Sequence, residues 1–164
     1  MKKRGQLQLS FSMIFSIFMI VAVIALAVYV IVYFLRLSSC GEIALFYQDL
    51  QKKVDSAYNA GLAQDIFSSS VPSKIKMVCF GNMTPPIASG AREAYKVLKI
   101  YSRTDGNVFM YPHIKACDAN LAIGKIRHVY TTQFFCVPVN GGKVEVKIKK
   151  EPTESLAMLY EQNE

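Results

Sequence analysis

The chain changes character near position 37. Phe11 to Leu35 is a run of 25 residues without a charge, whereas beyond Ser38 apolar and polar residues interleave at short spacings. A helix rises about 1.5 Å per residue, so the run reaches about 37 Å, more than the ~30 Å hydrocarbon core of a bilayer. No polar stripe divides it, as one would divide a core helix of a globular domain. The pattern predicts a transmembrane helix over residues 6–37 and a separate domain over residues 38–164.

Within that domain, Ser39-Cys40-Gly41-Glu42 matches the S-x-x-E capping box, and Ile43, Phe46, Tyr47, Leu50, Val54, Ala57 and Tyr58 follow at helical spacing. A second, amphipathic helix is therefore predicted from about Cys40 to Ala60, with Gly61 at its end and Lys52, Lys53 and Asp55 on its polar side. The Ser-rich stretch Ser68–Ser73 breaks the helical pattern. Lys74–Phe80 then alternates at its start like a half-buried strand, with Ile75, Met77 and Cys79 on one face. Ala91–Ser102 mixes helix and strand formers, and Val97–Tyr101 favours a strand from Tyr95. Asp105-Gly106 makes a turn into Asn107–Tyr111, a hairpin that Pro112 ends. Phe134–Val139 and Lys143–Lys149 flank Asn140-Gly141-Gly142, which predicts a second hairpin with Val144, Val146 and Ile148 facing inward. Ser155–Tyr160 adds a last strand, and Lys147-Ile148-Lys149-Lys150 reads as a solvated strand edge. The expected fold class is α+β: an N-terminal transmembrane helix, then an amphipathic helix packed on a small antiparallel sheet of about five strands.

Charge gives the run a direction. Lys2, Lys3 and Arg4 stand before it, while Arg36 on the far side is followed by no Lys or Arg until Lys52. This asymmetry places the N-terminus in the cytoplasm and residues 38–164 outside, as a single-pass plasma membrane protein in contact with membrane lipid. Tyr29, Tyr33 and Arg36 suit the outer headgroup layer. Ala25-Leu26-Ala27 has the form of a signal-peptidase site, but Val28–Leu35 stays apolar after it, unlike a cleaved signal. The net charge is +7 for the whole chain, but residues 38–164 carry fifteen basic and twelve acidic residues in dispersed positions, so nucleic acid is not an expected partner.

The residues before the span read Lys2-Lys3-Arg4-Gly5-Gln6-Leu7-Gln8-Leu9-Ser10. A short basic leader ending in Gly, followed by Gln and a hydrophobic helix, resembles the class III signal peptide of type IV pilins and archaellins, particularly the archaeal form. The resemblance covers about residues 2–35. It implies that a membrane-embedded prepilin-type peptidase cuts after Gly5, that residues 1–5 are lost as a leader, and that Gln6 becomes the N-terminus. The helix would then serve as anchor and later as filament core, with self-assembly or other pilin-like subunits as partners. Ser10 departs from the pattern, since many pilins carry a glutamate at that mature position to register neighbouring subunits. The role implied is structural or adhesive, a minor pilin or a component of a surface complex. An uncleaved signal anchor displaying an extracytoplasmic ligand-binding or sensory domain is the alternative.

Four cysteines, Cys40, Cys79, Cys117 and Cys136, all fall on the outer side and allow three pairings. Cys79 with Cys136 would staple two predicted strands, and Cys40 with Cys117 would tie the membrane-proximal helix to the connection after Pro112. Their intervals lack the close pairs of structural zinc sites, so no metal and no cofactor is expected. Asn82-Met83-Thr84 is the chain's only N-x-S/T sequon and makes Asn82 a glycosylation candidate. His113 and Cys117 stand four apart without an identifiable third group, and His128 reads as a surface or strand residue. No phosphate-binding loop, nucleophile elbow, zincin motif or dinucleotide fingerprint is present, so an enzyme is not expected.

Overall fold

The structure, a computed structural model, describes residues 11–118 and 120–161. The leader motif, with Gly5, Gln6 and Ser10, lies outside them. The chain divides into two compact units between Leu37 and Ser38.

Helix α1 spans Phe11–Ala60. Its residues up to Leu37 form a bare rod whose large apolar side chains, Met13 through Leu37, are exposed on every side. This is the one helix among the described residues that is long and apolar enough to cross a membrane. The hydroxyl of Ser16 donates to the carbonyl of Ser12 at 2.9 Å, so this polar group is satisfied within the helix itself. The capping box at Ser39–Glu42 does not open a second helix. Helical backbone continues through it, because no proline interrupts the hydrogen-bond ladder and Gly41 is tolerated where nothing lies within 4 Å.

In the unit Ser38–Glu164, Ile43, Phe46, Leu50 and Val54 of α1 are wholly buried. They meet two four-stranded sheets rather than the single sheet of about five strands expected from the pattern. The first sheet holds β1 (Ala63–Ser70), β7 (Lys143–Lys150), β8 (Ala157–Tyr160) and β5 (Val129–Tyr130) in that order. The second holds β4 (Ile123–Gly124), β3 (Val108–Tyr111), β2 (Met77–Phe80) and β6 (Phe135–Pro138). Pairing is antiparallel except between β5 and β8. One hydrophobic cluster joins α1 to both sheets, through Phe67, Val146 and Ile148 of the first and Val78, Phe80 and Met110 of the second. A smaller cluster on the other face of the second sheet holds Cys79, Phe109, Phe134 and Cys136 under Ala91, Ala94 and Leu98.

Ala91, Ala94 and Leu98 also explain a correction. Residues Arg92–Leu98 form helix α2, not a strand from Tyr95, because the buried positions fall at helical spacing while Val97 faces outward. The turn at Asp105-Gly106 accordingly follows a helix and closes no hairpin, and β3 pairs with β2 and β4. Ile75 precedes β2 and joins the cluster of Val78, not the face of Met77 and Cys79.

The hairpin expected around Asn140-Gly141-Gly142 also fails, although both glycines take positive φ and Asn140 and Lys143 exchange backbone hydrogen bonds. β6 goes to the second sheet and β7 to the first. Val139 N donates to Lys76 O, so the backbone groups of Val137 and Val139 turn toward β2. Those of Pro138 turn the other way, where its missing N–H leaves nothing to donate to another strand. β7 pairs instead with β1, an eight-residue strand built partly from the Ser-rich stretch that read as a break. Val144, Val146 and Ile148 do face inward, but β7 lies between β1 and β8. The lysine cluster is thus not at a sheet edge: Lys147 and Lys149 lie on the outer face, and Lys150 is buried with its ammonium on the carbonyls of Glu151 and Glu154.

Candidate functional site

The structure brings Cys79 to Cys136 and Cys40 to Cys117 as disulfides. Cys79 and Cys136 are register partners in β2 and β6 with Cα atoms 3.9 Å apart, both inside the smaller cluster. Cys40 and Cys117, with Cα atoms 5.4 Å apart, begin a second construction. From Cys117 the chain runs as a strap along α1 to His128, fastened at Cys40, Tyr47, Gln51 and Asp55.

Tyr47 donates its hydroxyl to the carbonyl of Leu121 at 3.0 Å, and burial pushes its phenol well above the usual tyrosine range. Its ring occupies the space where Gly124 has no side chain, since a Cβ there would meet the ring at 2.2 Å. One turn further, Gln51 accepts from Arg127 N at 2.8 Å and donates to Asp55 at 2.8 Å. Asp55 lies 3.0 Å from Nδ1 of His128, whose ring stacks on Tyr58 with centroids 4.3 Å apart. His128 takes a φ of 61°, a left-handed backbone that these two contacts hold in place. From the other side, Asn107 clamps Ile126 through two hydrogen bonds of 2.8 Å, one to its carbonyl and one from its N–H.

The clamped strap forms one wall of an open groove of about 500 Å³. Asn82, Asn107, Lys125, Arg127 and Thr131 supply its polar lining, and Leu159 part of its apolar lining. Lys125 is paired with Asp105 at the rim.

Asn82 is exposed at the rim of this groove, and Thr84 is exposed two residues on. His113 lies four residues before Cys117, ahead of the strap. Its ring meets Tyr101 at 5.5 Å, and its buried Nδ1 has no hydrogen-bond partner. Among the described residues no group of three or more His, Cys, Asp or Glu side chains converges to hold a metal. Gln51, Asp55 and Tyr58 are not singled out as site residues by the sequence, where Asp55 falls on the polar side of the helix and Tyr58 on its apolar stripe. Their spacing of about one turn each was the available signal, yet nothing local names the strap they grip.

Comparison with protein-family models, with curated proteins and with solved structures finds no match to this chain.

Proposed function

We propose that this chain is a membrane-anchored, pilin-like surface protein with a structural or adhesive role, a minor pilin or a component of a surface complex. The observation that carries the proposal is α1 itself. Its residues up to Leu37 are bare and apolar on every side, and from Ser38 the same helix supplies the packing face of a disulfide-bonded α+β head. A bare apolar rod is stable only in lipid or against other such rods, the two environments an anchored and then assembled pilin subunit meets. Two disulfides and the positive charge before the span support an N-terminus in the cytoplasm and a head outside. In this reading a prepilin-type peptidase removes residues 1–5.

The test is the N-terminal mass of the protein recovered from its own membranes. A start at Gln6 supports class III processing, and replacement of Gly5 by Trp should then leave residues 1–5 in place. An intact Met1 on all of the protein overturns the pilin-like reading. That result would favour an uncleaved anchor displaying a binding domain, a reading that draws its support from the groove beside the strap.

A further inference from the structure

The charges of the head are sorted along its length. The strap runs in the same direction as α1, from Cys117 at Cys40, through Leu121 at Tyr47, to His128 at Asp55. The turn His113–Lys115, just before the strap, therefore lies at the Cys40 end of the head. β1 runs the opposite way, since Asp65 pairs with Lys53 and Phe67 packs on Phe46. Ser70 and its register partner Lys143 thus reach the same end. Lys76 comes to it too, because its N–H donates to the carbonyl of Tyr111 at 2.8 Å, two residues before His113.

Lys74, Lys76, Lys115 and Lys143 are all exposed at this end. None of the four is among the ion-paired side chains of the described residues. Elsewhere on the head, lysines do find carboxylates: Lys53 with Asp65, Lys125 with Asp105 and Lys149 with Glu151. Glu42 and Asp118 next to the cysteines and Glu145, two residues past Lys143, are the acidic residues nearest in sequence, three against the four lysines. Ile114, next to Lys115, has 75% of its surface exposed.

Where this end must lie follows from chain length. Cys40 is five residues beyond Leu35, the last residue of the uncharged run, so even a fully extended connection keeps it within about 18 Å of the end of that run. If that run crosses a bilayer, the Cys40 end of the head is tethered close to the headgroup layer. Unpaired lysines with one protruding isoleucine are complementary to phosphate headgroups over an acyl boundary.

We propose that Lys74, Lys76, Lys115 and Lys143, with the exposed Ile114 beside Lys115, form a docking surface for anionic phospholipid headgroups of the membrane that α1 enters. The inference rests on the anchor part of the reading above and is independent of leader cleavage. Its effect is to seat the head on the bilayer while the subunit is membrane-bound.

The experiment places the full-length protein in nanodiscs of phosphatidylcholine alone and of phosphatidylcholine with about one-third phosphatidylglycerol, and follows hydrogen exchange at residues 72–77, 113–117 and 140–144. Expected is exchange about tenfold slower at these segments in the anionic discs. The protection should disappear in 1 M NaCl, where the screening length falls to about 3 Å. It should also disappear in K74Q/K76Q/K115Q/K143Q, and persist in K52Q/K125Q/K149Q, whose substitutions lie elsewhere on the head. Equal exchange in both lipids overturns the proposal. So does equal protection from soluble glycerol phosphate added to neutral discs, which would assign the surface to a free anion. Failure of the chain to stay in neutral discs through alkaline wash would overturn the anchor reading and this inference with it. Stable insertion with lipid-independent exchange would overturn this inference alone.

Discussion

The two sheets of the head bury their strands differently. In the first, β7 alternates strictly, with Val144, Val146 and Ile148 against α1 and Glu145, Lys147 and Lys149 on the open face. In the second, β2 and β3 are covered on both faces, Val78 and Met110 by the cluster on α1, Cys79 and Phe109 by the cluster under α2. A half-covered sheet announces its inner face in the sequence, because every second residue must be polar. A sheet covered on both sides gives a short apolar run with no period to say which residues face which neighbour. The first sheet should therefore tolerate change on its outer face, while the second should not tolerate it on either.

The sharpest break of that comparison is Phe80→Ala in β2 against Ile66→Ala on the outer face of β1. Phe80 is fully buried and stacks on Phe135 at 5.4 Å, so its truncation should cost about 3–5 kcal/mol. Ile66→Ala should stay within about 0.5 kcal/mol, as surface changes do. Urea unfolding of the full chain in detergent measures both, and similar losses would erase the distinction between the sheets.

The disulfides rank next. Replacing Cys79 and Cys136 together by Ala removes a link across 57 residues and should cost about 2–4 kcal/mol. The same double replacement at Cys40 and Cys117 opens a loop of 77 residues and should cost a similar amount. Hydrogen exchange should distinguish them, with the first loosening the second sheet and the second freeing the strap. A smaller effect, about 1–3 kcal/mol, is expected for Gly124→Ala, whose Cβ must displace the Tyr47 ring. The lost Tyr47–Leu121 hydrogen bond should appear as faster exchange along the strap.

The smallest expected effect is a pH dependence at the open end of the first sheet. The Lys53 ammonium and the N–H of Ile66 hold the Asp65 carboxyl below its ordinary range, and Lys149 does the same for Glu151. A carboxyl depressed in the folded state binds its proton more weakly there than in the unfolded chain. Its contribution is complete above the unfolded carboxylate pKa and is lost as pH falls through the folded one. Both groups are exposed, so the slope should be shallow and weakened by salt. D65N/E151Q should lose less stability than the parent between pH 6 and pH 3, measured as the shift in urea midpoint. An equal loss would locate the acid sensitivity elsewhere.

Legibility followed the range of the interaction that decided each element. The helical stripe from Ile43 to Ala57 was readable because one face of α1 packs along its whole length. Residues 92–98 were misread since Val97 and Ile100 look strand-like, and only the smaller cluster shows that Ala91, Ala94 and Leu98 face the protein. β1 was hidden by its serines: Phe67 alone of its eight residues is buried, so it owes its extended form to the ladder with β7 rather than to its own composition. The fastenings of the strap were invisible for the same reason, since Asp55 and His128 lie 73 residues apart.

By itself the sequence determined the bare apolar helix, the inward face of β7 and the turn at Asn140–Gly142. Continuous apolarity, strict alternation and paired glycines act through neighbours along the chain. Only the tertiary structure decided which strands pair, that β6 and β7 part company at Pro138, and that Lys74, Lys76, Lys115 and Lys143 gather at one end. Those outcomes depend on hydrogen bonds and packing between distant segments, and no local pattern carries the identity of a partner that the chain meets only on folding.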